Sequence, residues 1–109
     1  MGLTLRTNFG NTEAVISDSG TLRLFYKVAA VINDDLKLKF THKEDEFDSI
    51  NWEFRYKGHQ LTLHYNIYNG ISVFPTQARD AMHKDNKAVV ELASLIAGRM
   101  PNEENRLTA

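Results

Sequence analysis

The side chains of this sequence best suited to chemistry are its four histidines and one short acidic run. No two histidines have the spacing of a metal-binding motif, and each falls in a different predicted element: His42, His59, His64 and His83. The chain contains no cysteine, which excludes disulfides and thiolate sites. The sequence therefore predicts no metal site and no cofactor.

Glu53 and His64 are the strongest candidates for general acid–base chemistry. Strand alternation predicts them as cross-strand neighbours on a wet sheet face, and a carboxylate that orients an imidazole is a recurring part of general-base sites. No nucleophile accompanies them. With Lys37 expected on the adjoining strand, the three also form a row of alternating charge, which is typical of a solvated sheet. We therefore favour the structural interpretation of this row.

The acidic run is predicted to lie in a connection from Thr41 to Ser49. It lacks the glycine and the alternating acidic residues of a calcium-binding loop. The predicted partner-binding residues are Glu44, Asp45, Glu46, Phe47 and Asp48. An exposed aromatic ring among carboxylates can anchor a basic partner. The alternative is that Phe47 folds back and plugs the open end of the core.

The segment that must position these residues is Ile50 to Pro75, which reads as three antiparallel strands with two tight turns. A two-residue type II′ turn at Gly58-His59 is predicted for the first hairpin. It places apolar side chains opposite each other on one face, in the pairs Tyr56/Leu61, Phe54/Leu63, Trp52/Tyr65 and Ile50/Ile67.

The second hairpin is predicted to turn through Tyr68-Asn69-Gly70, with Gly70 in the left-handed conformation of a G1 bulge. This loop keeps the apolar face continuous by pairing Ile67 with Ile71 and Tyr65 with Val73. Residues 36–42 are predicted to form the strand before these three. In that strand Phe40 lies opposite Ile50, Leu38 opposite Trp52 and Leu36 opposite Phe54.

Two helices are predicted to flank the strands. Residues 21–33 fit either a strand or a helix, and we favour a helix because residues 17–20 are rich in capping types. The second helix begins near Asp85, which can cap it, and stops near Gly98 and Pro101. Its apolar stripe consists of Val89, Leu92, Ala93 and Ile96. Residues 76–84 are expected to contain one further helical turn.

The fold class predicted from these elements is α+β, a meander of about four antiparallel strands covered on one face by both helices. The 109 residues, 42% of them hydrophobic, are enough for one domain with its core in residues 13–99. Residues 1–11 fit either a loose edge strand or a disordered arm, and residues 101–109 are expected to fray. Without a signal sequence or an apolar span, the expected location is the cytoplasm.

Three functions remain open from the sequence. The first is a protein-binding module, such as an antitoxin or immunity-type inhibitor that blocks a basic enzyme like a bacterial nuclease toxin. The second is a nucleic-acid-associated protein that uses the outward-facing Lys37, Lys39, Arg55 and Lys57. This is less favoured because the net charge is −1 and the aromatic residues share the buried face. The third is an enzyme or ligand binder that uses the Glu53/His64 face.

Overall fold

The computed structural model describes residues 4–8, 11–17, 20–77 and 83–100. It shows an α+β fold, which confirms the predicted class. Its strands are β1 (Thr4–Asn8), β2 (Asn11–Ser17), β3 (Phe40–Asp45), β4 (Ser49–Tyr56), β5 (His59–Asn66) and β6 (Gly70–Pro75). The helices are α1 (Leu22–Ala30), continued by a π-helical turn at Val31–Asp35, and α2 (His83–Arg99).

The six strands form one antiparallel sheet in the order β1-β2-β6-β5-β4-β3. The prediction of about four strands is therefore wrong. The two additional strands are the N-terminal hairpin β1–β2, and β1 lies within residues 1–11, for which an edge strand is one of the two sequence-based alternatives. Strand β2 also pairs with β6, which lies more than fifty residues further along the chain. No local sequence pattern predicts this pairing.

The hairpin β4–β5 turns one residue earlier than predicted. Lys57 and Gly58 both adopt left-handed backbone conformations, with φ of 49° and 83°, which is the signature of a type I′ turn. Phe54 consequently lies opposite Leu61, and Trp52 lies opposite Leu63. The predicted partners were wrong by two residues. A shift of two leaves every side chain on its predicted face, because side chains alternate with period two.

The hairpin β5–β6 shows the same kind of shift. Gly70 has φ of 85°, so its predicted left-handed conformation is confirmed. Asn66 lies opposite Gly70 and Tyr65 lies opposite Ile71, whereas Ile67 had been predicted to pair with Ile71. Ile67 thus belongs to the turn and not to the buried face.

Strand β3 begins four residues later than predicted. The π-helical turn and its exit use residues 31–38, where Leu36 N–H donates to Val31 O and Leu38 N–H donates to Ile32 O, both over 3.0 Å. Phe40 then lies opposite Phe54 instead of Ile50, and an irregularity separates Phe40 from His42.

The helix predicted at residues 21–33 is confirmed, since Thr21 caps α1 by accepting a hydrogen bond from Leu24 N–H. The buried residues of α1 are Phe25, Val28 and Ala29, while Leu22 and Tyr26 are exposed. In α2 the predicted stripe is confirmed, because its four members are completely buried: Val89, Leu92, Ala93 and Ile96.

A single core joins both helices to one face of the sheet. Helix α2 packs against β2, β6 and β5. Polar contacts add to this packing at the rim, where Glu91 accepts hydrogen bonds from Tyr56 and Lys57, and His59 Nδ1 lies 2.6 Å from Asp85 Oδ1. The opposite face of the sheet carries the polar side chains, including Asn51, Glu53 and His64.

Candidate functional site

The acidic run lies on the hairpin between β3 and β4. Glu44 and Asp45 are the last residues of β3, and only residues 46–48 connect the two strands. The long loop predicted from Thr41 to Ser49 is therefore wrong. Glu46 N–H donates to Ser49 O over 2.8 Å, which closes the connection tightly. The predicted binding residues are thus held by a short hairpin instead of a loose loop.

Phe47 is the most exposed large hydrophobic residue among those described, with 104% of its reference surface accessible. The alternative that it plugs the core is therefore wrong. A fully exposed phenylalanine leaves a large apolar surface in water, and burial of that surface in a partner is strongly favourable.

The turn between β5 and β6 lies beside this hairpin. Ile67 N–H donates to Asp48 O over 3.3 Å, which joins the two connections at one end of the sheet. Ile67 and Tyr68 are 54% and 78% exposed. The result is a group of exposed apolar side chains next to carboxylates, and we call it the end surface: Phe47, Ile67 and Tyr68 with Glu44, Glu46 and Asp48. Exposed apolar patches rimmed by polar groups are typical of protein interaction sites.

The carboxylates of the end surface repel one another. A hydrogen bond with Glu44, followed by the charge of Glu44, raises the pKa of Glu46, and the charge of Asp48 adds to the shift. A partner that supplies a cationic side chain would relieve this repulsion.

Asp45 differs from its acidic neighbours. Its Oδ1 atom accepts a hydrogen bond from Trp52 Nε1 over 2.7 Å, so this carboxylate is tied to a core side chain. Glu44 also has contacts, since its Oε2 atom lies 3.8 Å from His42 Nε2 and its side chain hydrogen-bonds Glu46, but these contacts are exposed. Because Asp45 is bonded to a core side chain, we leave it out of the end surface.

An aromatic groove of about 460 Å³ lies between α1 and β3, and the sequence did not predict it. Its lining combines three rings with two lysines and three further residues: Tyr26, Phe40, Trp52, Lys39, Lys43, Ala29, Ala30 and Asn33. The ring centroid of Trp52 lies 5.2 Å from that of Phe40 and 5.9 Å from that of Tyr26. Lys43 Nζ lies 4.2 Å from the Trp52 centroid, within cation–π range.

The predicted row of Lys37, Glu53 and His64 is not assembled. Glu53 lies opposite Thr62, His64 lies opposite Asn51, and Lys37 precedes β3 in a left-handed conformation with φ of 60°. The predicted pairing of Glu53 with His64 is therefore wrong. The two-residue change of register in the β4–β5 hairpin accounts for it.

His64 instead belongs to a polar row that crosses four strands. Its Nδ1 atom lies 2.8 Å from Asn51 Oδ1, and its ring contacts that of Phe74. Burial lowers the pKa of His64, opposed by the charge of Glu13. Ser72 lies opposite His64 but donates its hydroxyl proton to Glu13 over 2.8 Å. The serine hydroxyl is thus directed to a carboxylate and not to the imidazole, so the row contains no Ser–His pair.

The predicted basic set is also dispersed. Lys57 Nζ lies 2.5 Å from Glu91 Oε1, and Lys37 is outside the sheet. In the described part of the chain, no three histidine, aspartate or glutamate side chains are grouped to hold a metal ion. Within the same residues, no helix has the length and apolar character needed to cross a membrane.

Comparison of the chain with protein-family models, curated proteins and solved structures finds no match in any of the three. Any functional conclusion therefore has to come from the surfaces described above.

Proposed function

We propose that this protein is a protein-binding module and that the end surface is its contact site. The observation that carries the proposal is the complete exposure of Phe47 among three carboxylates on a tightly closed hairpin. Ile67 and Tyr68 widen the apolar part of the same surface. The complementary partner has an apolar socket with a cationic rim.

The two kinds of side chain have different tasks in this proposal. Removing a phenylalanine side chain from water contributes about 1.5–3 kcal/mol, which mainly slows dissociation. The carboxylates attract a cationic partner over a distance and accelerate encounter. Because the hairpin is already ordered, little conformational entropy is lost on binding.

A nuclease is one partner with this chemistry, since its active site must attract phosphate groups. An antitoxin or immunity-type inhibitor that covers a cationic active site is therefore the specific role we propose. The nucleic-acid alternative lacks a comparable surface, because its lysines are scattered. The pair on which the enzyme alternative rests is not formed, because Glu53 lies opposite Thr62 and His64 lies opposite Asn51.

The test is capture of a partner from the native host followed by binding kinetics with purified variants. Phe47→Ala should raise the dissociation rate about tenfold or more. The triple amide variant Glu44→Gln, Glu46→Gln, Asp48→Asn should lower the association rate and flatten its dependence on salt. Leu95→Ala, which truncates an exposed side chain of α2, and Asp34→Asn are matched controls that should change neither rate.

Neither set of changes should unfold the domain, because the altered side chains are exposed. If Phe47→Ala left both rates unchanged while Leu95→Ala weakened binding, the contact site would lie on α2 and the proposal would be wrong. A partner that binds with no salt dependence would contradict the role of the carboxylates.

A further inference from the structure

Strand β3 is an edge strand with no described strand on its outer side. Residues 41–45 of the strand are all exposed. In an antiparallel ladder, alternate residues direct their backbone groups toward the neighbouring strand. Glu46 N–H donates to Ser49 O, so Glu46 directs its backbone groups toward β4, and by alternation so do Glu44 and His42. The residues of β3 between them, Lys43 and Asp45, therefore direct their backbone groups outward. These groups are available to a further strand.

The charges along this edge are ordered by sign. The first half is basic, with Lys39, His42 and Lys43, and the second half is acidic, from Glu44 to Asp48. A strand with this order is complementary to a second copy of itself in antiparallel orientation, since the basic half of each copy meets the acidic half of the other. Opposite charges in cross-strand positions are stabilising.

We propose that β3 pairs antiparallel with β3 of a second copy of this chain. The two β3 strands can pair only in registers that place residues with outward-directed backbone groups opposite each other. Among these registers, one places the largest number of basic side chains opposite acidic ones. It places Lys43 opposite Asp45 of the second copy and His42 opposite its Glu46. By two-fold symmetry each pair occurs twice, so two Lys–Asp pairs have opposite charges and two imidazoles lie opposite carboxylates. Only Glu44 meets its own equivalent, at the two-fold axis.

In this dimer the exposed ring of Phe47 lies near the aromatic groove of the second copy. In the proposed register Phe47 lies beside Thr41 of the second copy, next to the groove that is flanked by Lys39 and Lys43. The inference rests on the proposed function in one respect, because Phe47 serves as a binding residue in both. A dimer formed in this way covers the end surface in part, so self-association and capture of a foreign partner compete.

The first experiment uses the absence of native cysteine. At the two-fold axis the two Glu44 residues form a pair without hydrogen bonds, with Cα atoms about 4.5 Å apart, which a disulfide can span. Glu44→Cys should therefore form a disulfide-linked dimer under mild oxidation, measured by non-reducing electrophoresis. His42→Cys is the matched control, since it is exposed on the same strand and face but lies roughly 13 Å from its equivalent.

The second experiment exchanges charges. In a homodimer, His42→Glu places two pairs of carboxylates opposite each other and should weaken self-association about tenfold or more in sedimentation velocity. Glu46→Lys replaces both carboxylates opposite His42 by ammonium groups and should weaken self-association by a smaller factor. A mixture of the two variants should recover the dimer, because the mixed dimer contains one Lys–Glu pair and one native His–Glu pair. Lys87→Glu, on the exposed face of α2, is the charge-reversal control and should leave the dimer intact.

A wild-type chain that stays monomeric, with Glu44→Cys linked no faster than His42→Cys, would overturn the inference. The charged side chains of β3 would then serve to prevent pairing with another strand, as they commonly do on edge strands. Faster linkage of Lys43→Cys than of Glu44→Cys would overturn the register. Neither result bears on the proposed function, because capture of a foreign partner is measured separately and depends on Phe47 in the monomer.

Discussion

Replacement of Trp52 by alanine should remove a large part of the stability of the domain. Trp52 is 9% exposed, and its ring lies edge-on to Phe25 and Phe40 with centroids 5.1 and 5.2 Å apart. Its indole N–H donates to Asp45 Oδ1. The chain contains no other tryptophan, so this residue is also the natural fluorescence probe of the core.

The expected loss follows from these contacts. Truncation of a buried tryptophan to alanine costs about 3–5 kcal/mol through lost burial and the cavity that remains. A domain of this size has a free energy of unfolding of about 5–15 kcal/mol, so Trp52→Ala removes about a fifth or more of it. Trp52→Phe keeps an aromatic ring but deletes the indole donor. The lost hydrogen bond is to a carboxylate and contributes about 1.5–3 kcal/mol, so this variant should lose less than Trp52→Ala.

The measurement is guanidinium unfolding followed by far-UV circular dichroism, because the variants lack the fluorescent residue. Leu95→Ala is the control for truncation of an exposed side chain and should change the free energy of unfolding little. A loss below about 1 kcal/mol for Trp52→Ala would refute the assignment of Trp52 to the core. Native fluorescence as red-shifted as that of the denatured chain would refute it independently.

Three further outcomes are expected. Gly58→Ala should destabilise the domain by about 1 kcal/mol because φ is 83° there, whereas Gly98→Ala, in open space on α2, should stabilise it by about 0.5–1 kcal/mol; denaturant midpoints test both signs. Phe47→Ala should change the free energy of unfolding by less than about 0.5 kcal/mol, since the ring makes no buried contact. Burial lowers the pKa of His64 in the folded state below 6.5. The unfolded state therefore binds the additional proton more readily, and the free energy of unfolding falls as the pH drops through 6.5. His64→Gln should lose less stability than the wild type between pH 7.5 and 5. Titration of the His64 ring by NMR at or above its ordinary pKa would contradict this.

The sequence predicted the faces of the central strands better than their partners. Every residue predicted inward from Ile50 to Tyr56 is buried, although each lies opposite a residue two positions away from the predicted one. Alternation determines the face, but the partner depends on the turn. Lys57-Gly58 and Gly58-His59 are both acceptable turns, and the apolar pattern is the same for either of them.

The errors at the sheet edges have a different cause. Strand β3 carries almost no apolar alternation after Phe40, because both of its faces at this edge are open to water. A run such as His42-Lys43-Glu44-Asp45 is therefore read as a loop. Pairing of β2 with β6, and the groove built from rings of α1, β3 and β4, depend on contacts between distant parts of the chain. Local patterns contain no information on such contacts.

The five predicted binding residues lie on one short hairpin, but their side chains differ in their contacts with the core. Asp45 is joined through Trp52 to the core, while Phe47 lies beyond the last cross-strand pair and makes no buried contact. Substitutions at Asp45 should therefore change stability, and substitutions at Phe47 should change binding alone. This separation follows from the alternation of β3, which turns Asp45 toward the side of the sheet that carries Trp52, and the carboxylate of Glu44 away from it. Stability measurements on the two positions therefore show which part of the acidic run is free to meet a partner.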